Sequence, residues 1–241
     1  MEELVIFNSN GRRIYGNLHL PYGGAPCVIT LHGLESSKDS GKWLTMAEKL
    51  YDEGFACLRF NFQGCGEGLE RSEGEFEDTS LTQRIRDYRS AIKFLQDTGK
   101  VDMERIGVIG SSFGGVVAIA AQEGRIKAMV TLATPYKIAY PSNSRKLEDF
   151  YILPSGRRIR RSFFEDMEKY DILKAVKYTP PILILHGSLD EIVPVEHAYK
   201  LHEAAPHSRL EIVEGADHTF SKHLNKVINL SLEWLKKYLL S

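Results

Sequence analysis

Ser112 stands at the centre of Gly110-Ser111-Ser112-Phe113-Gly114, a run of the form G-x-S-x-G. Before it lies a short apolar stretch, Ile106 to Ile109, and after it a stretch apolar nearly all round, Val116 to Ala121. The first suits a strand buried on both faces and the second a helix packed against a sheet. A direct turn from one to the other brings two backbones close together, which residues without a Cβ permit. The serine is then pushed out at the carboxyl end of the sheet, beside the free N–H groups of the first helical turn. A hydroxyl there could attack a carbonyl carbon if a neighbouring base took its proton.

The base must come from another loop at the same end of the sheet. Among eight histidines, His218 alone follows the final strand-like run in a short loop, Glu214-Gly215-Ala216-Asp217-His218, with small neighbours that leave room for an imidazole to reach inward. The loop after the preceding strand reads His186-Gly187-Ser188-Leu189-Asp190 and puts Asp190 at its apex. From there its carboxylate can accept from an imidazole N–H and fix the tautomer. Glu191 is the other carboxylate in reach, and its place suits a solvated side chain better. His32 and His186 each precede a glycine at a strand end and read as structural, hydrogen-bonded to nearby loops.

The surrounding elements follow from periodicity. Leu4 to Phe7 and Arg12 to Leu20 alternate as an antiparallel pair joined at Asn8-Ser9-Asn10-Gly11. Cys27 to Leu31, Phe55 to Phe62, Ile126 to Ala133, Ile182 to Leu185 and Leu210 to Val213 read as further strands. Trp43, Ala47, Leu50 and Tyr51 mark one face of a helix, and Leu81, Ile85, Tyr88, Ile92 and Leu95 the face of another opened by Ser80 and Gln83 as a capping box. Ser162 with Glu165 makes a second such box, Pro194 suits the first position of a helix, and Phe220, Leu224, Val227, Trp234 and Tyr238 share helical spacing at the end. The expected fold class is α/β: an about eight-stranded, mostly parallel sheet with helices on both faces, antiparallel only at its start. In such sheets functional groups gather where strands end and helices begin. The loops after Leu31, Ile109, Leu185 and Val213 are those places here.

Length and composition narrow the partners. A chain of 241 residues suits one α/β domain, residues 1–241. Acidic and basic residues nearly cancel, 32 against 31, so no global field draws nucleic acid or an anionic membrane. The start, Met1-Glu2-Glu3-Leu4, has acids where a signal peptide needs basic residues, and no stretch has the apolar length of a membrane span. A cytoplasmic location is the expectation, with the oligomeric state, a homo-oligomer included, left open. Cys27, Cys57 and Cys65 lack metal-type spacing and read as small core residues. The glycine-rich Gly64 to Gly68 is not followed by the Gly-Lys-Ser/Thr of a phosphate loop, and the acids from Glu67 to Asp78 would repel phosphate.

The order Ser112, Asp190, His218, together with Gly114-Gly115, His186-Gly187-x-x-Asp190, Gly215-x-x-His218 and His32-Gly33, resembles the α/β-hydrolase superfamily over essentially the whole chain. Arg59-Phe60-Asn61-Phe62-Gln63-Gly64-Cys65-Gly66-Glu67, followed by Gly74-Glu75-Phe76-Glu77-Asp78, is similar to the feruloyl and cinnamoyl esterase group, with Asn61 where an aspartate is common. The resemblance implies that Ser112 is the nucleophile, His218 the general base and then acid, and Asp190 the residue that orients His218. It implies an oxyanion hole from the backbone N–H groups of Phe113 and Leu34, and no metal or organic cofactor.

Residues 136–179 interrupt the strand–helix alternation where this superfamily carries a cap. Tyr136, Tyr140, Phe150, Tyr151, Phe163 and Phe164 would mostly pack that insertion onto the body, and one or two facing Ser112 would favour a flat aromatic or short acyl group. Arg157, Arg158, Arg160 and Arg161 make a basic run that reads as a solvated hairpin, or as the source of one cation for an anionic substrate. The expected activity is a serine carboxylesterase acting on a small-molecule ester, aromatic or short-chain, through an acyl-enzyme. A serine aminopeptidase, amide or thioester hydrolase of the same fold is the alternative, and a non-catalytic binding protein of this fold the third reading.

Overall fold

The computed structural model describes residues 1–138, 146–147 and 149–240. Strands β1 (Glu2–Ser9) and β2 (Arg12–His19) pair antiparallel along their whole length. Their turn has contracted to Asn10-Gly11, with φ of 52° and 82°. Two consecutive left-handed residues match the twist of a hairpin, which is why asparagine and glycine stand there. After β3 (Ala25–Leu31) and helix α1 (Gly41–Asp52) come β4 (Ala56–Phe60), α2 (Leu81–Thr98), β5 (Val101–Ser111), α3 (Phe113–Ala121) and β6 (Ile126–Leu132). The insertion follows, holding β7 (Lys146–Leu147), β8 (Phe150–Ile152), β9 (Arg158–Arg160), α4 (Ser162–Met167) and α5 (Ile172–Ala175). The chain closes with β10 (Ile182–Gly187), α6 (Glu196–Ala204), β11 (Ser208–Val213) and α7 (Leu224–Leu239).

Eight strands form one sheet in the order β1-β2-β4-β3-β5-β6-β10-β11. Only the β1–β2 and β2–β4 pairs are antiparallel, as expected. All seven residues of β3 and all five of β4 are buried, since helices cover both faces. On one face Leu81, Ile85 and Leu95 of α2, Val116 and Ile119 of α3, and Leu201 of α6 share a core with the sheet. On the other, Trp43 and Leu50 of α1 pack with Val227, Leu235 and Leu239 of α7. Cys27, Cys57 and Cys65 are free thiols buried in these cores. No described helix is long and apolar enough to cross a membrane.

Helix starts depart from the sequence pattern in four places. Ser80 caps α2, its Oγ accepting from the Gln83 N–H at 3.0 Å, but Gln83 gives its side chain to Asp87 instead of closing the box. Ser162 is the first residue of α4 rather than its cap, and the N–H of Phe164 donates to the Arg161 carbonyl. Helix α6 begins at Glu196, two residues after Pro194. Phe220 lies before α7 at φ 60°, so its burial comes from a turn rather than a helical face.

Among the described residues, the insertion has no core separate from the body. Its small sheet, β7-β8-β9, turns at Leu153 to Arg157, where Gly156 takes φ 85°. Leu153, Ile159, Phe163, Phe164, Met167, Ile172 and Val176 bury into the same cluster as α2 and α3. Phe163 meets Phe113 edge-on, centroids 5.2 Å apart, and Phe164 meets Tyr151 in the same way. Tyr140 falls outside the described residues.

Candidate active site

Ser112 occupies the turn between β5 and α3 with φ 52° and ψ −120°, a conformation that costs a non-glycine residue on the order of 1–3 kcal/mol. The surroundings dictate it. The Ser112 N–H donates to the Leu132 carbonyl of the neighbouring strand at 2.7 Å, while its own carbonyl accepts from the Gly115 N–H at 3.0 Å. A Cβ on Gly114 would stand 2.0 Å from the Leu31 carbonyl oxygen, and one on Gly110 2.5 Å from the Gly114 carbonyl oxygen. The helix can approach the strands this closely only because those positions are bare. Gly33, in contrast, has room for a Cβ at ordinary contact distance, 3.6 Å from Ser112 Cβ. The closest approach is therefore made by the glycines around Ser112, not by Gly33 in the loop after β3.

Asp190 and His218 come together from loops 28 positions apart. The His218 Nδ1–H donates to Asp190 Oδ2 at 2.8 Å, with the carboxylate fully buried and the imidazole partly open. The other carboxylate oxygen accepts the N–H groups of Ile192 and Val193, at 2.9 and 2.8 Å. His186 donates Nε2–H to the Val193 carbonyl at 2.8 Å and lies 3.3 Å from Asp190 Oδ2. Burial opposes charge on Asp190, but the hydrogen bonds from His186, His218 and Val193 hold its carboxyl below the usual carboxylate range. Glu191 is exposed and takes no part. Close packing joins the two loops, since a Cβ on Gly187 would stand 2.2 Å from the Ala216 carbonyl oxygen.

Two backbone segments flank Ser112. Phe113 opens α3, so its N–H has no partner within the helix. Leu34 follows β3 and lines the same cavity as Ser112 and Phe113. Arg84 of α2, 1% exposed, fixes that loop from behind. Its guanidinium donates to the Gly33 carbonyl at 3.1 Å and the Leu34 carbonyl at 2.8 Å, and stacks over Phe62 and Phe113. His32 accepts the Phe62 N–H on Nε2 and therefore donates Nδ1–H to the Gly33 carbonyl. Burial, then the nearby Arg84 charge, lowers its pKa to about 3, so the ring is neutral and structural. Asn61 links the loop after β3 to the segment after Gly68, accepting from the Lys38 N–H and donating to the Glu70 carbonyl.

A cavity of about 1080 Å³ opens over these groups, with Ser112 and His218 both on its wall. Trp43, Phe113, Ile138, Ile192 and Leu224 give it apolar surface. None of the seven described aromatics of the insertion lines it. The basic run is spoken for elsewhere. Arg157 stacks on Phe76, Arg158 and Arg160 pair with Glu77 and Asp78, and Arg161 pairs with Glu165. Two residues that no motif pointed to belong to this region, Arg84 and Lys42. Arg84 was hidden in a helix read only for its apolar stripe, and Lys42 beside Trp43 on α1 carried no signal at all. Among the described residues, no group of three His, Cys, Asp or Glu side chains could hold a metal ion.

A mostly parallel eight-stranded sheet, covered on both faces and carrying a serine at the central strand–helix turn, is the α/β-hydrolase fold. The structure of Est1E from Butyrivibrio proteoclasticus with bound ferulic acid superposes with a TM-score of 0.88 at 22% identity, covering 98% of this chain and all of that one. The model of the prolyl oligopeptidase family matches residues 44–241, and the chain belongs to that family. It is 30% identical over 132 residues to the quorum-quenching protein AidA of Acinetobacter baumannii, across 53% of this chain and 42% of that protein. It is 28% identical over 192 residues to the mitochondrial palmitoyl-protein thioesterase ABHD10 of Pongo abelii, across 71% of this chain and 59% of that protein. The chain thus matches about half the length of these curated relatives.

Proposed function

We propose that the protein is a serine hydrolase of small carboxylic esters working through an acyl-enzyme, with Ser112 as nucleophile, His218 as general base and then acid, and Asp190 as its orienting partner. The observation that carries this reading is the 2.8 Å hydrogen bond from His218 Nδ1 to buried Asp190, on a histidine that shares one cavity with Ser112. That bond fixes the tautomer that leaves Nε2 free to take the serine proton. Attack by Ser112 Oγ on the ester carbonyl breaks the C–O π bond and builds an oxyanion, which the N–H groups of Phe113 and Leu34 stabilise. His218 then returns its proton to the departing alcohol, leaving the acyl group on Ser112. Water attacks that ester through the same histidine and frees the carboxylic acid.

Residues 136–179 act in this reading as a cap that bounds the site, with Ile138 and no described aromatic of the insertion on the cavity wall. Thioester hydrolysis is the second reading. It is favoured by the match to a palmitoyl-protein thioesterase and by a cavity large enough for an extended acyl group. Labelling with a fluorophosphonate probe, which reacts with an activated serine, tests the shared chemistry. Adduct at Ser112 that is lost in Ser112→Ala is the expected result, and an unlabelled wild-type protein would leave only a binding role. Rates on p-nitrophenyl butyrate, its thioester counterpart and an aminoacyl p-nitroanilide then rank ester against thioester and amide.

A further inference from the structure

The cavity over Ser112 has one wall unlike the rest. Between the start of α1 and the turn before α7 it is lined by Ser40, Lys42, Thr45, Ser111, Thr219 and Ser221. Lys42 points its ammonium into this wall and donates to Ser111 Oγ at 3.0 Å. Among the described residues no carboxylate lies within ion-pair distance of it, whereas buried Lys38 and Arg59 pair with carboxylates and buried Arg84 with two backbone carbonyls. The nearest acids are committed elsewhere. Asp217 accepts from the N–H groups and hydroxyls of Thr219 and Ser221, and Asp190 from His218 and the 192–193 backbone. Burial strips water from the Lys42 ammonium and lowers its pKa to about 8, against the pull of Asp217 and Asp190. The first turn of α1 has no acid. An undersolvated cation without an ion-pair partner, beside the start of a twelve-residue helix with no acid in its first turn, favours negative charge.

We infer that this wall is a carboxylate subsite, and that the esters best suited to the protein carry a carboxylate a few bonds from the scissile carbonyl. The inference rests on Ser112 being the nucleophile. Lys42, Ser111 and Ser112 line one cavity, so a carboxylate held by Lys42 and an ester carbonyl at Ser112 belong to one small substrate. Half-esters of short dicarboxylic acids and acyl esters of hydroxy acids both meet that description. They differ in whether the charge stays on the acyl group or leaves with the alcohol.

The test compares kcat/KM for charged and neutral members of matched pairs by titration of released acid. Monoethyl glutarate against diethyl glutarate probes the acyl side, and 3-acetoxypropanoate against its methyl ester the alcohol side. The wild-type protein is expected to favour the charged member of one pair. Lys42→Met should lower that charged-to-neutral ratio by about 10-fold or more, the scale of a charge-assisted hydrogen bond, while Lys42→Arg keeps most of it. A ratio at or below one in both pairs for the wild type, or the same ratio in Lys42→Met, overturns the subsite. Fluorophosphonate labelling separates this from failure of the underlying reading. A labelled Ser112 without charge preference removes only the subsite, whereas an unlabelled protein removes the nucleophile with it.

Discussion

At Ser112 the chain accepts a left-handed backbone on a residue with a side chain, and three independent contacts hold it there: the strand carbonyl of Leu132, the Gly115 amide and the packing of α3. Strain of this kind persists when the surroundings over-determine it, and here its effect is to lift the hydroxyl clear of the sheet. Under the proposed mechanism Ser112→Ala lowers kcat for p-nitrophenyl butyrate by about 10⁴ to 10⁶, leaving only what binding and the backbone donors supply. Asp190→Asn keeps the side-chain volume but presents an amide where His218 donates, and should lower kcat by about 10⁴. Activity within tenfold of wild type in either variant would remove these residues from the mechanism.

At the scale of elements, two helices set the site from behind. Helix α3 reaches the sheet only because Gly110 and Gly114 are bare, so Gly114→Ala must separate α3 from β3. A loss of about 3 kcal/mol is expected, read as a lowered urea midpoint with unchanged slope. Helix α2 carries Arg84, which holds both carbonyls of the loop that presents Leu34 and stacks on Phe113. If the N–H groups of Leu34 and Phe113 serve as oxyanion donors, Arg84→Met lowers kcat for ester hydrolysis by about 10- to 100-fold with little change in KM, because the interaction is made in the transition state. Arg84→Lys should not restore it, since a single ammonium cannot span two carbonyls as the guanidinium fork does. A matching rise in KM instead would place Arg84 in substrate binding.

At the scale of the whole molecule, buried neutral histidine makes stability depend on pH. His32 titrates at about 3 when folded against an ordinary value of 6.5, so the unfolded chain takes up a proton that the folded one refuses. Its contribution is complete above pH 6.5 and erodes as pH falls toward 3, by about 2 kcal/mol at pH 5. His19 and His197 are lowered in the same direction by burial, adding to the same slope. Asp190 is shifted down and loses stability only under more acid conditions, outside this window. Urea midpoints should therefore fall between pH 7.5 and pH 5, and a flat profile would exclude a buried neutral His32. The insertion belongs to this scale too. Phe163 and Phe164 bury into the body's core, so the segment from Leu153 to Val176 should unfold with the sheet in a single transition.

Much of this molecule is legible without coordinates, because the signals are local. The alternation of β1 and β2, the apolar runs of the parallel strands and the stripe of α2 each follow from the period of one element, and the strand–loop order then placed Ser112, Asp190 and His218 at one end of the sheet. Glycine spacing around Ser112 was readable for the same reason: a close approach excludes a Cβ wherever it occurs. What depends on contact between distant segments was not readable. The four insertion arginines and the acids of 77–78 are each unremarkable in sequence, and only folding paired them and removed the arginines from the site. Phe220 kept helical spacing yet sits in a turn, because burial can be met by either geometry. Lys42 and Arg84 acquired their surroundings from β3, β5 and the loops between, and a side chain's hydration is set by everything packed around it. The identity of the proposed catalytic residues was thus a reading of the sequence alone, while the charge and shape of the cavity around them were decided by the tertiary structure.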